Sequence, residues 1–328
     1  MEKDVEFLLT SDILSHFFHS YSLDALKYKK LGDFENYVYE VYKNETSYIL
    51  RVTHSSHRKK KELLAEVDWV NFLNTKGISV PKVYQSDFGK IVEMSAAEDG
   101  SIFYASLFSK VPGKPVRVTA PEFNKRLFKA WGRAIGHMHA ATKTYTPANA
   151  IAPRMLWEDE ELLQVEKYVP ETDKLVIKNT QALLLQLKSL PKTKDNFGLI
   201  HTDVHSGNFC YDGSEIHIYD FDDCCYHWFA SDIAIPLYYS LLYRFKENNV
   251  GKRDAFGKRF LDSFIEGYQE RNTLPDDLEM QLPLFLRLRD VTLYSVLHKK
   301  IAPEERDEEL ELMIQQIKSR IEKNESIY

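Results

Sequence analysis

The chain is poor in cysteine, has no long apolar run and carries no basic surplus. Three cysteines in 328 residues, of which Cys224 and Cys225 are adjacent and Cys210 stands apart, cannot build a disulfide framework, so a reduced compartment is expected. No stretch approaches the roughly 20 apolar residues of a membrane-spanning helix. The opening MEKDVEFLLT lacks the basic start and long apolar segment of a secretory signal. Lys and Arg number 43 against 49 Asp and Glu, a net charge of -6, which argues against a dedicated nucleic-acid binder. The expectation is a cytoplasmic protein with neither a membrane nor a nucleic acid as partner. With 44% hydrophobic and 28% charged residues, wholesale disorder and collagen-like structure are excluded, and 19 Tyr and 19 Phe can fill a sizeable core. The length fits one large or two medium domains.

The first hundred or so residues read as strand-rich. Tyr37–Tyr42 and Tyr48–Val52, short, aromatic and β-branched, flank Lys43-Asn-Glu-Thr46 and predict a hairpin. In the second strand Ile49 and Arg51 share one face and Tyr48, Leu50 and Val52 the other. Leu63, Val67, Val70 and Leu73 recur at helical spacing, which predicts a helix over Glu62–Asn74 ended by Gly77. Ile102–Phe108 reads as a further strand, stopped by Val111-Pro-Gly113, where a hinge is expected. Beyond it helices dominate, with apolar stripes at Phe128, Trp131, Ile135 and Met138 and at Leu310, Met313, Ile317 and Ile321. Asp212-Gly213 between two alternating runs predicts a second hairpin. There is no internal repeat and no low-complexity linker.

The most informative stretch is His201-Thr-Asp203-Val-His205-Ser-Gly-Asn208, followed after that hairpin by Asp220-Phe-Asp222-Asp223. Phosphoryl transfer depends on positioning and charge neutralisation more than on covalent chemistry. It needs a carboxylate to orient the attacking hydroxyl, a role Asp203 can fill. Magnesium takes hard oxygen ligands, usually one or two of them from protein, and Asn208 and Asp220 supply such oxygens. His201-x-Asp203-x-x-x-x-Asn208 and Asp220-Phe-Asp222 together resemble the catalytic loop and metal-binding segment of the aminoglycoside phosphotransferase and choline kinase-like family.

That resemblance implies an α+β, bilobal protein-kinase-like fold with a small antiparallel-sheet N-lobe over residues 1–108, a hinge at 109–113 and a larger, mostly helical C-lobe over 114–328. It also implies transfer of the γ-phosphate of ATP or GTP, with magnesium, to a hydroxyl of a small molecule. Leu31–Tyr39 resembles the family's nucleotide-binding hairpin, with Gly32 and Asn36 as nucleotide-side residues. Arg51 stands where a Lys or Arg grips phosphate, and Glu66 where the family has the partner carboxylate. His139 and Asp232 also fall at family positions. The chain departs from protein kinases in lacking a Gly-x-Gly-x-x-Gly loop, having only Gly32 there.

One pair has independent support. At about 100° per residue, Glu66 points between Leu63 and Val70, where an unpaired carboxylate is costly. Arg51 is its natural partner, and Glu62, one turn earlier on the same face, is the rival. His201 is expected to brace the loop. His205 is either a loop residue or a group approaching substrate or phosphate. Asp222 and Asp223 are either solvated or in contact with metal or a cationic substrate. Asp232 either caps the following helix or braces the catalytic loop. The run His57-Arg-Lys-Lys-Lys61 reads as a solvated helix start, and the cysteines read as packing residues. Tyr226-His-Trp228-Phe229 is expected beside the acceptor pocket, its aromatic faces holding a cation, so that the acceptor is amine-bearing: an aminoglycoside, an amino alcohol or a homoserine-like compound. Three other readings stand behind this one: a Ser/Thr protein kinase of the same fold, a metal-dependent hydrolase using His201, Asp203 and His205, and a non-catalytic nucleotide-binding regulator. Oligomeric state is left open.

Overall fold

Alternation along two strands organises the amino-terminal part. β1 (Tyr28–Gly32), β2 (Tyr37–Lys43) and β3 (Thr46–His54) form a meander, with Tyr37 opposite Val52 and Lys43 opposite Thr46. Asn44 and Glu45 turn the chain with both φ angles positive, 48° and 63°, as a tight two-residue hairpin loop requires. β4 (Val83–Tyr84), β5 (Glu93–Ala96) and β6 (Ile102–Ser109) complete a six-stranded antiparallel sheet of order β1-β2-β3-β6-β4, with β5 also on β6. Register shifts between Lys30 and Gly32, so the strand ends at Gly32 in a bulge. The structure is a computed structural model and describes residues 3–149, 151–245 and 250–328.

Leu50 and Val52 on one face of β3 pack with Phe103, Ala105 and Leu107 of β6 and with Ile13, Phe17 and Phe18 of α2 (Ser11–Ser20), which follows the single-turn α1 (Lys3–Glu6). Arg51 lies on the opposite face, where α3 (Lys60–Thr75) packs through Leu63 against Val92 and Tyr104. Gly77, at φ 74°, turns the chain out of α3.

Contacts divide the chain into two units: Met1–Pro112 with Tyr145–Arg154 and His217–Asp222, and Gly113–Thr144 with Met155–Ile216 and Asp223–Tyr328. The first unit thus includes two segments from later in the chain. His217 is bonded to Ser79 and the Ile218 N–H donates to the Ser79 carbonyl (3.1 Å). Phe221 meets Trp69 of α3 edge-on, which anchors the polar segment that follows the second hairpin.

The second unit is mostly helical. α4 (Lys125–Thr142) buries Phe128, Trp131, Ile135 and Met138, the stripe read from the sequence. It packs on α7 (Val250–Gln269) at a backbone approach that excludes side chains. A Cβ on Gly132 would lie 1.8 Å from the Phe264 carbonyl oxygen, and one on Gly267 1.9 Å from that of Lys129. α5 (Lys174–Lys188), α6 (Phe229–Arg244), α8 (Leu278–Lys300) and α9 (Glu308–Lys323) complete it, with Ile314, Ile317 and Ile321 of α9 buried and Leu310 and Met313 half-buried. β8 (Phe209–Tyr211) and β9 (Ile216–Ile218) form the second predicted hairpin.

A two-stranded antiparallel ladder joins β7 (Phe197–Ile200) to β10 (Cys225–Trp228), Ile200 facing Cys225. This corrects the expected aromatic platform. Trp228 is fully buried, its ring packed on Trp157, Phe197 and Phe285 and its indole N–H donated to the Pro191 carbonyl (3.1 Å). Phe229 lies stacked on His139. Strand pairing turned these rings into the core, so Trp228 presents no open face to an acceptor. Cys224 and Cys225 are buried and Cys210 is half-buried.

Candidate active site

In the second unit the loop 201–208 is held from beneath by a buried carboxylate. Asp232, in the first turn of α6, accepts the backbone N–H of Thr202 (2.7 Å) and of His201 (3.1 Å), and Nε2 of His139 (3.2 Å). His139 is fixed in turn by the Tyr268 hydroxyl (2.9 Å) and by the Phe229 ring. Burial works to raise the Asp232 carboxyl, but the bond from His139 and the loop N–H groups hold it below the usual carboxylate range. Burial keeps His139 below its ordinary value, hence neutral. Asp232 does not cap its helix, which begins at Phe229 with Trp228 at the cap; its carboxylate serves the loop.

Thr202 is β-branched yet sits at φ 69°, a conformation that costs about 1–3 kcal/mol and persists only where surrounding contacts enforce it. Here the N–H bond to Asp232 and the bond from Thr202 Oγ1 to the Asp223 carbonyl (2.9 Å) do so. His201 is fully buried and its Nδ1 accepts the Asp203 N–H (3.3 Å).

Asp203 is half-buried, and both carboxylate oxygens are engaged. Oδ1 accepts Nη2 of Arg289 (2.6 Å), while Oδ2 accepts Nδ2 of Asn208 (3.0 Å) and faces Nε2 of His205 (3.3 Å). Burial acts to raise this carboxyl; the Arg289 guanidinium, and after it His205, outweigh burial and leave it below the ordinary value. Asn208 also donates Nδ2 to the Asp203 carbonyl (2.9 Å), which fixes the amide and leaves its Oδ1 as a hard oxygen of the kind magnesium takes. His205 accepts the Gly207 N–H at Nδ1 (2.9 Å) and packs edge-on against Tyr239.

In the first unit Arg51 and Glu66 form a buried bidentate pair, Nη1 to Oε1 at 2.8 Å and Nη2 to Oε2 at 2.6 Å. Glu62 is committed elsewhere: its Oε2 accepts the Lys59 N–H (2.8 Å) at the start of α3. Arg51 also lies over the Phe108 ring (5.1 Å). Asn36 is buried and accepts the Thr53 hydroxyl (2.5 Å), tying the β1–β2 connection to β3. Asp220 is exposed and, like Thr202, adopts a left-handed backbone conformation, with φ 66°.

Asp222 is buried among basic side chains. His57 Nε2 lies at 2.6 Å, Arg58 Nε at 3.5 Å and Arg51 Nη1 at 4.0 Å, while Arg154 donates to its carbonyl (2.6 Å). Burial raises this carboxyl, but the cations around it, Arg58 foremost, drive it far below the usual range. The expectation of a solvated start at His57–Lys61 is therefore corrected for His57 and Arg58, which turn inward onto this carboxylate. Asp223 is exposed, its carbonyl serving Thr202.

Arg289, Tyr239 and Arg154 were not singled out in the sequence, and His57 and Arg58 only as part of a basic run. For Arg289 a signal exists: with Arg287 it alternates with the buried Leu286 and Leu288, and Asp290 and the buried Val291 follow it. The hydrolase trio fares differently. His201 is turned onto a backbone N–H, and among the described residues no three His, Cys, Asp or Glu side chains gather as a metal-binding group. Nor, among them, is any helix long and apolar enough to cross a membrane.

An antiparallel-sheet unit, a helical unit and a loop centred on Asp203 are the parts of an α+β protein-kinase-like fold of the phosphotransferase class. Residues 28–282 match the phosphotransferase enzyme family that includes aminoglycoside phosphotransferases, and the chain belongs to that family. It is 39% identical to the amicoumacin kinase of Bacillus subtilis (strain 168) over 281 residues, 86% of this chain and 82% of that protein. A solved amicoumacin kinase in complex with AMP-PNP, Ca2+ and Ami superimposes with a TM-score of 0.93 at 35% identity, covering 100% of this chain and 97% of the other. A microcompartment-associated aminopropanol kinase shares the fold, with a TM-score of 0.77 at 21% identity over 97% and 99% of the two chains.

Proposed function

We propose that this enzyme transfers the γ-phosphate of ATP to a hydroxyl of amicoumacin or of an amine-bearing small molecule like it. The observation that carries this reading is the Asp203 loop, built as described in a chain that resembles amicoumacin kinases over nearly its whole length. Asp203 orients the acceptor hydroxyl, its two oxygens held in place by Arg289 on one side and Asn208 and His205 on the other. Asn208 and Asp220 would hold magnesium, each offering a hard oxygen of the kind it takes, an amide oxygen and an exposed carboxylate. When bound, the metal neutralises phosphate charge.

Arg51 pairs with the nucleotide's phosphates, aimed by Glu66, and the β1–β2 segment with Gly32 and Asn36 supplies the nucleotide side. With Gly32 alone in place of a glycine-rich loop, side-chain charge replaces part of the backbone cradle. Residues 109–113 serve as the hinge between a lobe at 1–108, to which Tyr145–Arg154 and His217–Asp222 return, and a lobe formed by the rest of 114–328. The cationic acceptor meets Tyr243, which is 46% exposed and stacked on Tyr239 (5.4 Å). The protein acts in the cytoplasm, where nucleoside triphosphate is supplied.

A nucleotide-consumption screen tests the proposal, with ATP and GTP against amicoumacin, amino alcohols, aminoglycosides, homoserine, neutral sugars and a generic protein substrate. Amicoumacin-dependent, magnesium-dependent turnover is expected. Efficient turnover of neutral sugars with none on amicoumacin or the amino alcohols would reject it.

A further inference from the structure

Asp203 is gripped by a residue from a helix 86 positions later in the chain. Arg289 of α8 donates Nη2 to Asp203 Oδ1 (2.6 Å) and Nε to the Tyr239 hydroxyl (3.0 Å), and its guanidinium lies over the Tyr239 ring (4.8 Å). The next residue, Asp290, is fully buried and accepts the Tyr238 hydroxyl (2.7 Å) and Arg320 Nε of α9 (2.8 Å). Two consecutive residues of α6, Tyr238 and Tyr239, thus bond two consecutive residues of α8, Asp290 and Arg289. The buried pair of these contacts fixes the rotation of α8. The neighbouring pair, Tyr239 buried and Arg289 partly exposed, lies about 100° round the helix axis and delivers the guanidinium to Asp203.

We propose that Arg289, clamped by Tyr239, is a positioning residue for phosphoryl transfer: it sets the rotamer of Asp203 and so the line along which the acceptor hydroxyl attacks. The proposal rests on the role assigned to Asp203. A guanidinium suits it because its planar fork reaches the carboxylate and the phenol at once, which an ammonium cannot do from one position. Each carboxylate oxygen accepts more than one bond, so Oδ1 can hold Arg289 and still receive an acceptor hydroxyl. A residue that positions the catalytic carboxylate contributes to kcat and little to substrate affinity. A misplacement of about 1 Å costs on the order of 10²-fold in rate.

The test is a double-mutant cycle on the full chain, combining Arg289→Met with Asp203→Asn and reading single-turnover phosphoryl transfer to amicoumacin. The same cycle is read on magnesium-dependent ATP hydrolysis without acceptor, so that a wrong acceptor is told apart from a wrong role. Arg289→Met is expected to lower kcat by about 10²-fold with KM for ATP and amicoumacin little changed. It is expected to cost almost nothing further when Asp203 is already Asn. Arg289→Lys should recover part of the loss, and Tyr239→Phe, which keeps the charge but frees the guanidinium, should lose less than Arg289→Met. Equal losses in both backgrounds would overturn the proposal, as would an unchanged kcat or a rise in acceptor KM alone. If Arg289→Met fails to fold, Arg289→Lys and Tyr239→Phe carry the cycle with the same criteria.

Discussion

Removing Glu66 strands a guanidinium in the interior of the first unit, and the cost follows from the geometry. In Glu66→Ala, Arg51 loses bonds of 2.8 and 2.6 Å while its side chain remains only 7% exposed. Breaking a buried ion pair by deleting one partner costs about 3–5 kcal/mol. Asp222 Oδ1 at 4.0 Å and the Phe108 ring remain, so the lower end applies, about 3 kcal/mol. At about 2 °C per kcal/mol for a chain of this size, thermal unfolding should move down by roughly 6 °C. The paired replacement Arg51→Met with Glu66→Leu removes the charges together and should restore most of that stability, yet abolish nucleotide affinity. Urea and thermal unfolding by circular dichroism, with equilibrium binding of a fluorescent ATP analogue, separate the two effects. The reasoning fails if Glu66→Ala leaves the unfolding midpoint where it was, or if the double variant binds nucleotide normally.

Two further outcomes are expected. Burial pushes His227 down to about 3 from 6.5, and its Nδ1 accepts the Trp228 N–H (2.8 Å). The unfolded chain therefore binds the proton more tightly, so stability falls as pH drops below about 6.5, by ~2 kcal/mol at pH 5 from this group. His227→Gln should flatten that acid sensitivity in urea denaturation at pH 7 and pH 5, and an unchanged difference between the two pH values would refute it. Asp220→Ala should abolish magnesium-dependent nucleotide binding while leaving any metal-independent binding in place; full magnesium-nucleotide affinity in calorimetry would remove Asp220 from its assigned role.

What was legible in the sequence was local. The β2–β3 hairpin, α3 and α4 follow from periodicity, because apolar residues at steps of two or of three and four have only one way to be buried together. The Arg51–Glu66 pair followed from the same logic, one alternating strand against one helical stripe. Contacts between distant segments left no such trace. His57 and Asp222 are 165 positions apart, and Arg289 and Asp203 are 86 apart. Each pair is brought together by packing of whole elements rather than by spacing. Trp228 shows the opposite failure. An aromatic and histidine-rich run beside a catalytic segment looks like a ligand platform, but pairing of β10 with β7 put those rings into the core. A cue was present at Arg289-Asp290, because charges next to the buried Leu288 and Val291 need partners.

In the proposed reaction Asp203 orients a hydroxyl for attack on the γ-phosphate. Asp203→Asn keeps the size and most of the hydrogen bonding of the side chain but removes its charge. Single-turnover transfer from ATP to amicoumacin, followed by the mass gain of one phosphoryl group on the acceptor, reads that role. Near-complete loss of transfer is expected, with magnesium-ATP affinity close to that of the unaltered enzyme. Transfer at an undiminished rate would contradict it.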